Sequence, residues 1–255
     1  MSATHFGARL ETILGTTRVE TILRAITDRP VVLLAGDPGV GKSTIARELA
    51  RRVGGSADGT GSCVRAEATA RGLSLEAFNT LLRADPREDS AIDARAATLI
   101  ARGDSIVFES RLAGHFGRWL AAHGRSGISS IYLRCEAVVQ ALRLVEREDG
   151  RATREAIEPL LRAPPMAASL IEHALVLRGH PGPASKAATI IEREAARTIA
   201  DRARLRSLYG VEFDDPSAYD HVFDTTLSSV AACVDSILAL AAPAPSVGDG
   251  AGVSR

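Results

Sequence analysis

Chemistry is densest where the chain reads Gly36-Asp37-Pro38-Gly39-Val40-Gly41-Lys42-Ser43, followed by Thr44. This is a complete G-x-x-x-x-G-K-[ST] pattern, in which glycines let backbone N–H groups turn inward around a polyphosphate and a lysine neutralises it. A helix starting at that lysine adds the positive end of its dipole. The expected donor site is therefore Gly36, Asp37, Gly39, Val40, Gly41, Lys42, Ser43 and Thr44, with Lys42 on the β- and γ-phosphates of ATP and Ser43 a ligand for Mg²⁺. A second grouping lies far downstream, where Arg197, Asp201 and Arg204 fall at i, i+4 and i+7 on one helical stripe. Such a stripe either aims two guanidinium groups at a phosphate with a carboxylate between them, or is a solvated ladder of ion pairs.

Other chemistries find no support in the spacing. The six histidines make no HExxH pattern, and no G-x-S-x-G occurs. Cys63, Cys135 and Cys233 are isolated and odd in number, against a disulfide framework or a CxxC site and in favour of a reducing compartment. Lys+Arg and Asp+Glu both count 31, so no global field gathers nucleic acid or anionic membrane, and no uncharged apolar run reaches the roughly 18 residues of a spanning helix. A cytoplasmic protein is expected, with no nucleic-acid or membrane partner and an oligomeric state that the sequence leaves open.

The elements that must position these groups follow from periodicity. Residues 8–28 read as one or two amphipathic helices broken near Gly15, and Pro30 opens the run Val31–Ala35, continuous enough for a strand buried on both faces. A helix then runs from Lys42 to Val53 and stops at Gly54-Gly55. Ser74 is placed to cap a helix through Leu82, a second helix covers 89–102, and strands are expected at 106–108, 128–133 and 222–223. Helices over 136–147, about 190–208 and 228–240 complete an α/β alternation with a mainly parallel sheet. Residues 242–255, rich in Ala, Pro, Gly and Ser, read as a disordered tail.

Beyond the phosphate loop, the chain resembles the cytidylate kinases, especially the short archaeal-type branch of the P-loop nucleoside monophosphate kinases. The resemblance runs through Arg65 and Arg71-Gly72-Leu73-Ser74-Leu75-Glu76-Ala77-Phe78, Asp85-Pro86, Ile92-Asp93 and Glu109-Ser110-Arg111-Leu112-Ala113-Gly114. It resumes at Arg143, Arg147 and Glu148, at the Arg197/Asp201/Arg204 stripe with Tyr209-Gly210, and at Tyr219-Asp220-His221-Val222-Phe223-Asp224-Thr225-Thr226. It implies a three-layer α/β P-loop NTPase fold with a five-stranded parallel sheet. Residues 1–29 would be a helical extension and 30–241 the kinase domain, with a monophosphate-binding arm at about 56–102 and a lid at about 148–192.

By residue, the resemblance places Arg65, Arg111, Arg197 and Arg204 on the acceptor's phosphate, and Asp201 and Thr60 at the acceptor nucleotide. Arg143 and Arg147 would join Lys42 at the transferring phosphoryl group, although on spacing alone they also fit surface salt bridges. The implied reaction is ATP-dependent phosphorylation of a small nucleoside monophosphate, CMP or dCMP first, with ATP and Mg²⁺ as cofactors. A P-loop kinase of a modified nucleotide or other metabolite, or an inactive nucleotide-binding regulator, shares the same motif. Two stretches depart from the family pattern: Gly59-Thr60-Gly61-Ser62 replaces the usual Ser-Gly ahead of the arm arginine, and the segment from Glu148 to Glu192 is longer than a compact lid. In that segment Ile157, Leu160 and Leu161, then Leu170, Ile171, Leu175 and Val176, predict two packed helices around Pro164-Pro165. Closure would bring Arg151 or Arg154 near the phosphates.

Overall fold

Strand β1, Val31–Ala35, is buried along its whole length. Val31, Leu33 and Ala35 enter one apolar core and Val32 and Leu34 another, so the unbroken hydrophobic run reflects a strand covered on both faces. The computed structural model describes residues 3–163 and 167–241. The tail expected at 242–255 and the Pro164-Pro165 pair lie outside the described residues.

Around β1 stand β2 (Ala57–Gly59), β3 (Val107–Glu109), β4 (Ile128–Arg134) and β5 (His221–Asp224), in the order β2-β3-β1-β4-β5 and parallel throughout. Leu34 sits level with Glu109 on one side and Ile131 on the other, so the carboxyl ends of the central strands open together on one edge. That edge is where an open parallel sheet takes its ligands. β2 is the strand that the periodicity does not predict: three residues, Ala57-Asp58-Gly59, carry no apolar run.

One face of the sheet is covered by α1 (Ala3–Leu14), α2 (Thr16–Arg24), α4 (Thr60–Ala70), α5 (Leu75–Ala84), α6 (Pro86–Arg102) and α7 (Ala113–Ala122). The Ser74 side chain accepts from the Ala77 amide and starts α5 as expected. The residues ahead of Pro30 are part of this core: Phe6, Leu10 and Leu14 are buried with Phe116 and Trp119, and the Trp119 indole donates to Glu11. α6 likewise buries Ile92, Ala96, Ala97 and Ile100 in the core. The opposite face holds α3 (Lys42–Arg52) and α12 (Val230–Ala241), whose Ile45, Leu49, Cys233, Val234 and Ile237 pack on Val32 and Leu34.

A third cluster stands apart from the sheet, built from α8 (Ala137–Asp149), α9 (Arg151–Leu161), α10 (Leu170–Arg178) and α11 (Pro183–Tyr209). α11 runs about two turns further upstream than its periodicity indicates, because Pro183 can occupy the first helical turn, and it ends at Gly210 in the left-handed conformation. In α9 the expected Ile157 and Leu161 are buried. In α10 the expectation is corrected: Ile171, Leu175 and Val176 are exposed at 46%, 62% and 40%, while His173, Ala174 and Leu177 face inward. α10 is apolar on nearly every side, so its pattern cannot choose a face. Close packing chooses, with Ala174 against the small residues Ala184, Ala187 and Ala188 of the third cluster.

Candidate active site

The phosphate loop links β1 to α3, and its glycines are required by geometry. Gly36, Gly39 and Gly41 have φ of 138°, 87° and 97°, and a Cβ on Gly36 would lie 2.3 Å from the Leu133 carbonyl oxygen. Two side chains brace the loop from outside: Gln140 Nε2 donates to the Pro38 carbonyl at 2.6 Å and Thr225 Oγ1 to the Val40 carbonyl at 2.9 Å. Lys42 Nζ donates to the Gly36 and Asp37 carbonyls at 2.6 and 2.8 Å. Burial, helped by the nearby Arg111 guanidinium, pushes its pKa down to about 8. Thr44 follows, exposed on the first turn of α3.

Ser43 Oγ donates to Glu109 Oε2 at 2.8 Å. No motif spacing marks Glu109, yet it ends β3, the strand beside β1, so sheet order brings it to the loop. Burial raises its pKa while the Ser43 hydrogen bond lowers it. A hydroxyl and a carboxylate in contact are the hard oxygen donors that Mg²⁺ takes when substrate phosphates supply most of its shell. Among the described residues no group of three or more His, Cys, Asp or Glu could hold a metal ion. The fit is thus to an ion brought in with the nucleotide.

Across the edge a web of arginines converges on Asp201 of α11. Arg111, in the turn after β3, lies 2.8 Å from Asp201 Oδ2, and Arg204 Nη2 lies 3.3 Å from Oδ1. Arg111 also stands over the Phe213 ring at 5.3 Å, as does Arg202 at 5.2 Å. Arg204 turns its other nitrogen to Asp89 of α6. One turn along, buried Asp93 accepts from the Tyr209 hydroxyl, and burial raises its pKa to about 7. Asp89 therefore holds Arg204 from behind, with the Asp93–Tyr209 pair beside it.

The remaining expected residues divide. Arg197 is 67% exposed and reaches Asp201 only at 3.9 Å. Arg65, on α4, is exposed within electrostatic range of Glu109. Thr60 opens α4, and its buried hydroxyl has no hydrogen-bond partner among the described residues. The resemblance groups Arg143 with Arg147, but the structure gives them different partners. Arg143 donates to Thr225 Oγ1 and to the Thr225 carbonyl at 3.0 and 2.8 Å, bracing the far side of the loop. Arg147 stands 3.2 Å from Glu148 and 3.7 Å from Glu194, close enough to Lys42 to act on its charge. Arg151 is paired to Glu155 at 2.7 Å and Arg154 to Glu146 at 2.6 Å, both within the third cluster.

A family profile described as an AAA domain matches residues 32–159. The cytidylate kinase of Halobacterium salinarum is 30% identical over 208 residues, which cover 82% of this chain and 87% of the relative. That of Aeropyrum pernix is 30% identical over 198 residues, covering 78% and 91%, and that of Methanosarcina mazei 27% identical over 194, covering 76% and 86%. In fold alone, the chain is similar to the crystal structure of an uncharacterized protein from Eubacterium ventriosum, with a TM-score of 0.51 at 11% identity, covering 84% of this chain and 98% of that one. No helix among the described residues is long and apolar enough to cross a membrane. The chain belongs to the cytidylate kinase family, and is a phosphotransferase of the P-loop nucleoside monophosphate kinase kind.

Proposed function

We propose that the protein transfers the γ-phosphoryl group of ATP to a nucleoside monophosphate, CMP or dCMP by preference, releasing ADP and the nucleoside diphosphate. The observation that carries this reading is the approach of two cationic groups from opposite sides. The Arg111 guanidinium, over the Phe213 ring, is near enough to Lys42 to help lower its pKa. Two polyanions can be held end to end only where cations gather on both, and in-line transfer depends on that positioning and charge stabilisation.

On the donor side, Gly36 to Thr44 wrap the polyphosphate, Lys42 leaves the loop carbonyls for the β- and γ-phosphates, and Ser43 with Glu109 would hold Mg²⁺. That ion supplies neutralisation of the spreading phosphoryl charge. On the acceptor side, Arg111 and Arg204 exchange part of their hold on Asp201 for the acceptor's phosphate, with Arg197 and Arg65 joining from the rim. Asp201, relieved of that pairing, and Thr60 are then available to the acceptor's sugar or base. Arg147 is the lid arginine suited to the moving phosphoryl group, whereas Arg143 steadies the loop through Thr225. Residues 30–241 act as the kinase domain with the arm at 56–102, and the segment 148–192, carrying α9 and α10, is the lid that excludes water.

The reading is tested by incubating the protein with ATP, Mg²⁺ and CMP and separating the nucleotides by chromatography. CDP and ADP should appear in equal amounts. ADP without CDP would mean hydrolysis and would overturn it.

A further inference from the structure

Charged side chains from two helices meet where the chain enters and leaves the lid segment. Arg147 and Glu148 stand in the last turn of α8, and Arg193 and Glu194 are neighbours in α11. Arg147 Nη2 is 3.2 Å from Glu148 Oε1 and 3.7 Å from Glu194 Oε1, while Arg193 pairs with Glu148 Oε2 and lies 3.9 Å from the same Glu194 oxygen. Glu194 differs from the others. It is only 6% exposed, and its second oxygen, Oε2, is buried without a hydrogen-bond partner among the described residues.

A carboxylate withdrawn from water is costly unless its oxygens find partners, so an unfilled oxygen at such a place calls for a cation. Arg193 is committed to Glu148, which leaves Arg147. Among the described ion pairs Nη2 is the one Arg147 nitrogen engaged, and the side chain is half exposed, so the rest of the guanidinium is free to meet an anion. At 3.7 Å the contact with Glu194 is loose, and the unused Oε2 leaves room for it to tighten into the two-point grip that carboxylate and guanidinium make best.

Glu194 also belongs to the face of α11 that carries the acceptor groups. Arg197, Asp201 and Arg204 follow it at i+3, i+7 and i+10, all on one side of the same continuous helix. At the helical rise, Asp201 lies about 10 Å along the axis from Glu194. A single rigid element therefore holds both the residues assigned to the acceptor and the buried carboxylate beside Arg147.

We propose that Glu194 is a positioning residue: its buried carboxylate seats one edge of Arg147, so that the free edge meets the transferring phosphoryl group at a set distance from the acceptor's phosphate. The inference rests on the kinase reading above, in which Arg147 serves that group, and adds the residue that places it.

The test is a double-mutant cycle on the full chain with ATP, Mg²⁺ and CMP. Glu194→Gln should lower kcat about tenfold, the scale of one charged hydrogen bond, with both KM values within about twofold of wild type. Arg147→Ala should lower kcat about a hundredfold. Adding Glu194→Gln to Arg147→Ala should then cost less than about twofold more, because a residue that acts through Arg147 has nothing left to place. Glu194→Asp keeps the charge but draws it back, should lose less than the amide, and decides the matter by the same cycle if the amide does not fold. A loss of equal size with and without Arg147 would make Glu194 a structural residue and overturn the proposal, as would a Glu194→Gln variant of wild-type kcat. An Arg147→Ala variant of wild-type kcat would overturn it too, while CDP formation kept the kinase reading intact. Wild type that forms no CDP would defeat the kinase reading instead, and the cycle read on ADP released from ATP and water would then decide Glu194 by the same coupling.

Discussion

The two halves of the site are made of different material. The donor half is one stretch of consecutive residues whose binding groups are mostly backbone, shaped by three glycines of positive φ and braced by Gln140 and Thr225. The half proposed for the acceptor is all side chain: Arg111 from a turn after β3, Asp89 from α6, and Asp201 and Arg204 from α11. A backbone site is fixed by its positive-φ glycines and its one cation, whereas a side-chain site can be retuned one residue at a time. On the proposed reading, donor binding is built into the loop and acceptor choice is left to replaceable groups.

Removing the one donor cation should break the comparison most severely. Lys42→Ala is expected to lower kcat by roughly two to three powers of ten while the protein stays folded, as for loss of one transition-state charge contact. Near-normal turnover by steady-state assay would remove Lys42 from the reaction. On the acceptor half, Arg111→Ala and Arg204→Ala should each lower kcat/KM for the monophosphate about tenfold to a hundredfold, the scale of a charged hydrogen bond. ATP affinity, measured by titration, should stay within about twofold. Equal loss of ATP binding would place those arginines on the donor.

The halves also meet electrostatically, and pH sharpens the contact. Lys42 has its pKa pushed down to about 8 by burial and by Arg111. Below that pH it is already protonated for ATP. Above it, binding must take up a proton, so the ATP Kd should rise up to about tenfold per pH unit. Arg111→Ala removes a like charge and should move this rise to higher pH. An ATP affinity flat from pH 7 to 9.5 would contradict the coupling. The smallest effect is expected away from both halves: Leu175→Ser, on the exposed side of α10, should change unfolding free energy by no more than about 0.5 kcal/mol in denaturant titration.

What the sequence made legible follows the same division. The loop, β1 and α3 could be read because their determinants are local: a motif, a doubly buried run and a four-residue apolar repeat ending in Gly54-Gly55. Asp201 with Arg197 and Arg204 was visible as a stripe, but its partners were not. Glu109 reaches Ser43 only because β3 lies next to β1, and strand order leaves no trace in residue spacing. Asp89, Asp93 and Tyr209 gather behind Arg204 through packing of α6 on α11, and residues buried with partners look like any others in a chain with ordinary charge content. The inward face of α10 was misread for a related reason, since an all-round apolar helix takes its orientation from its neighbours.

The central claim is that donor and acceptor sites face each other in one catalytic centre. Its most direct test is the initial rate of ADP release by the wild-type protein with ATP and Mg²⁺, compared across CMP, dCMP, UMP, AMP, GMP and no acceptor. Release should be slow without an acceptor and rise by orders of magnitude with CMP or dCMP. A rate that is the same with every acceptor and with none would contradict the account.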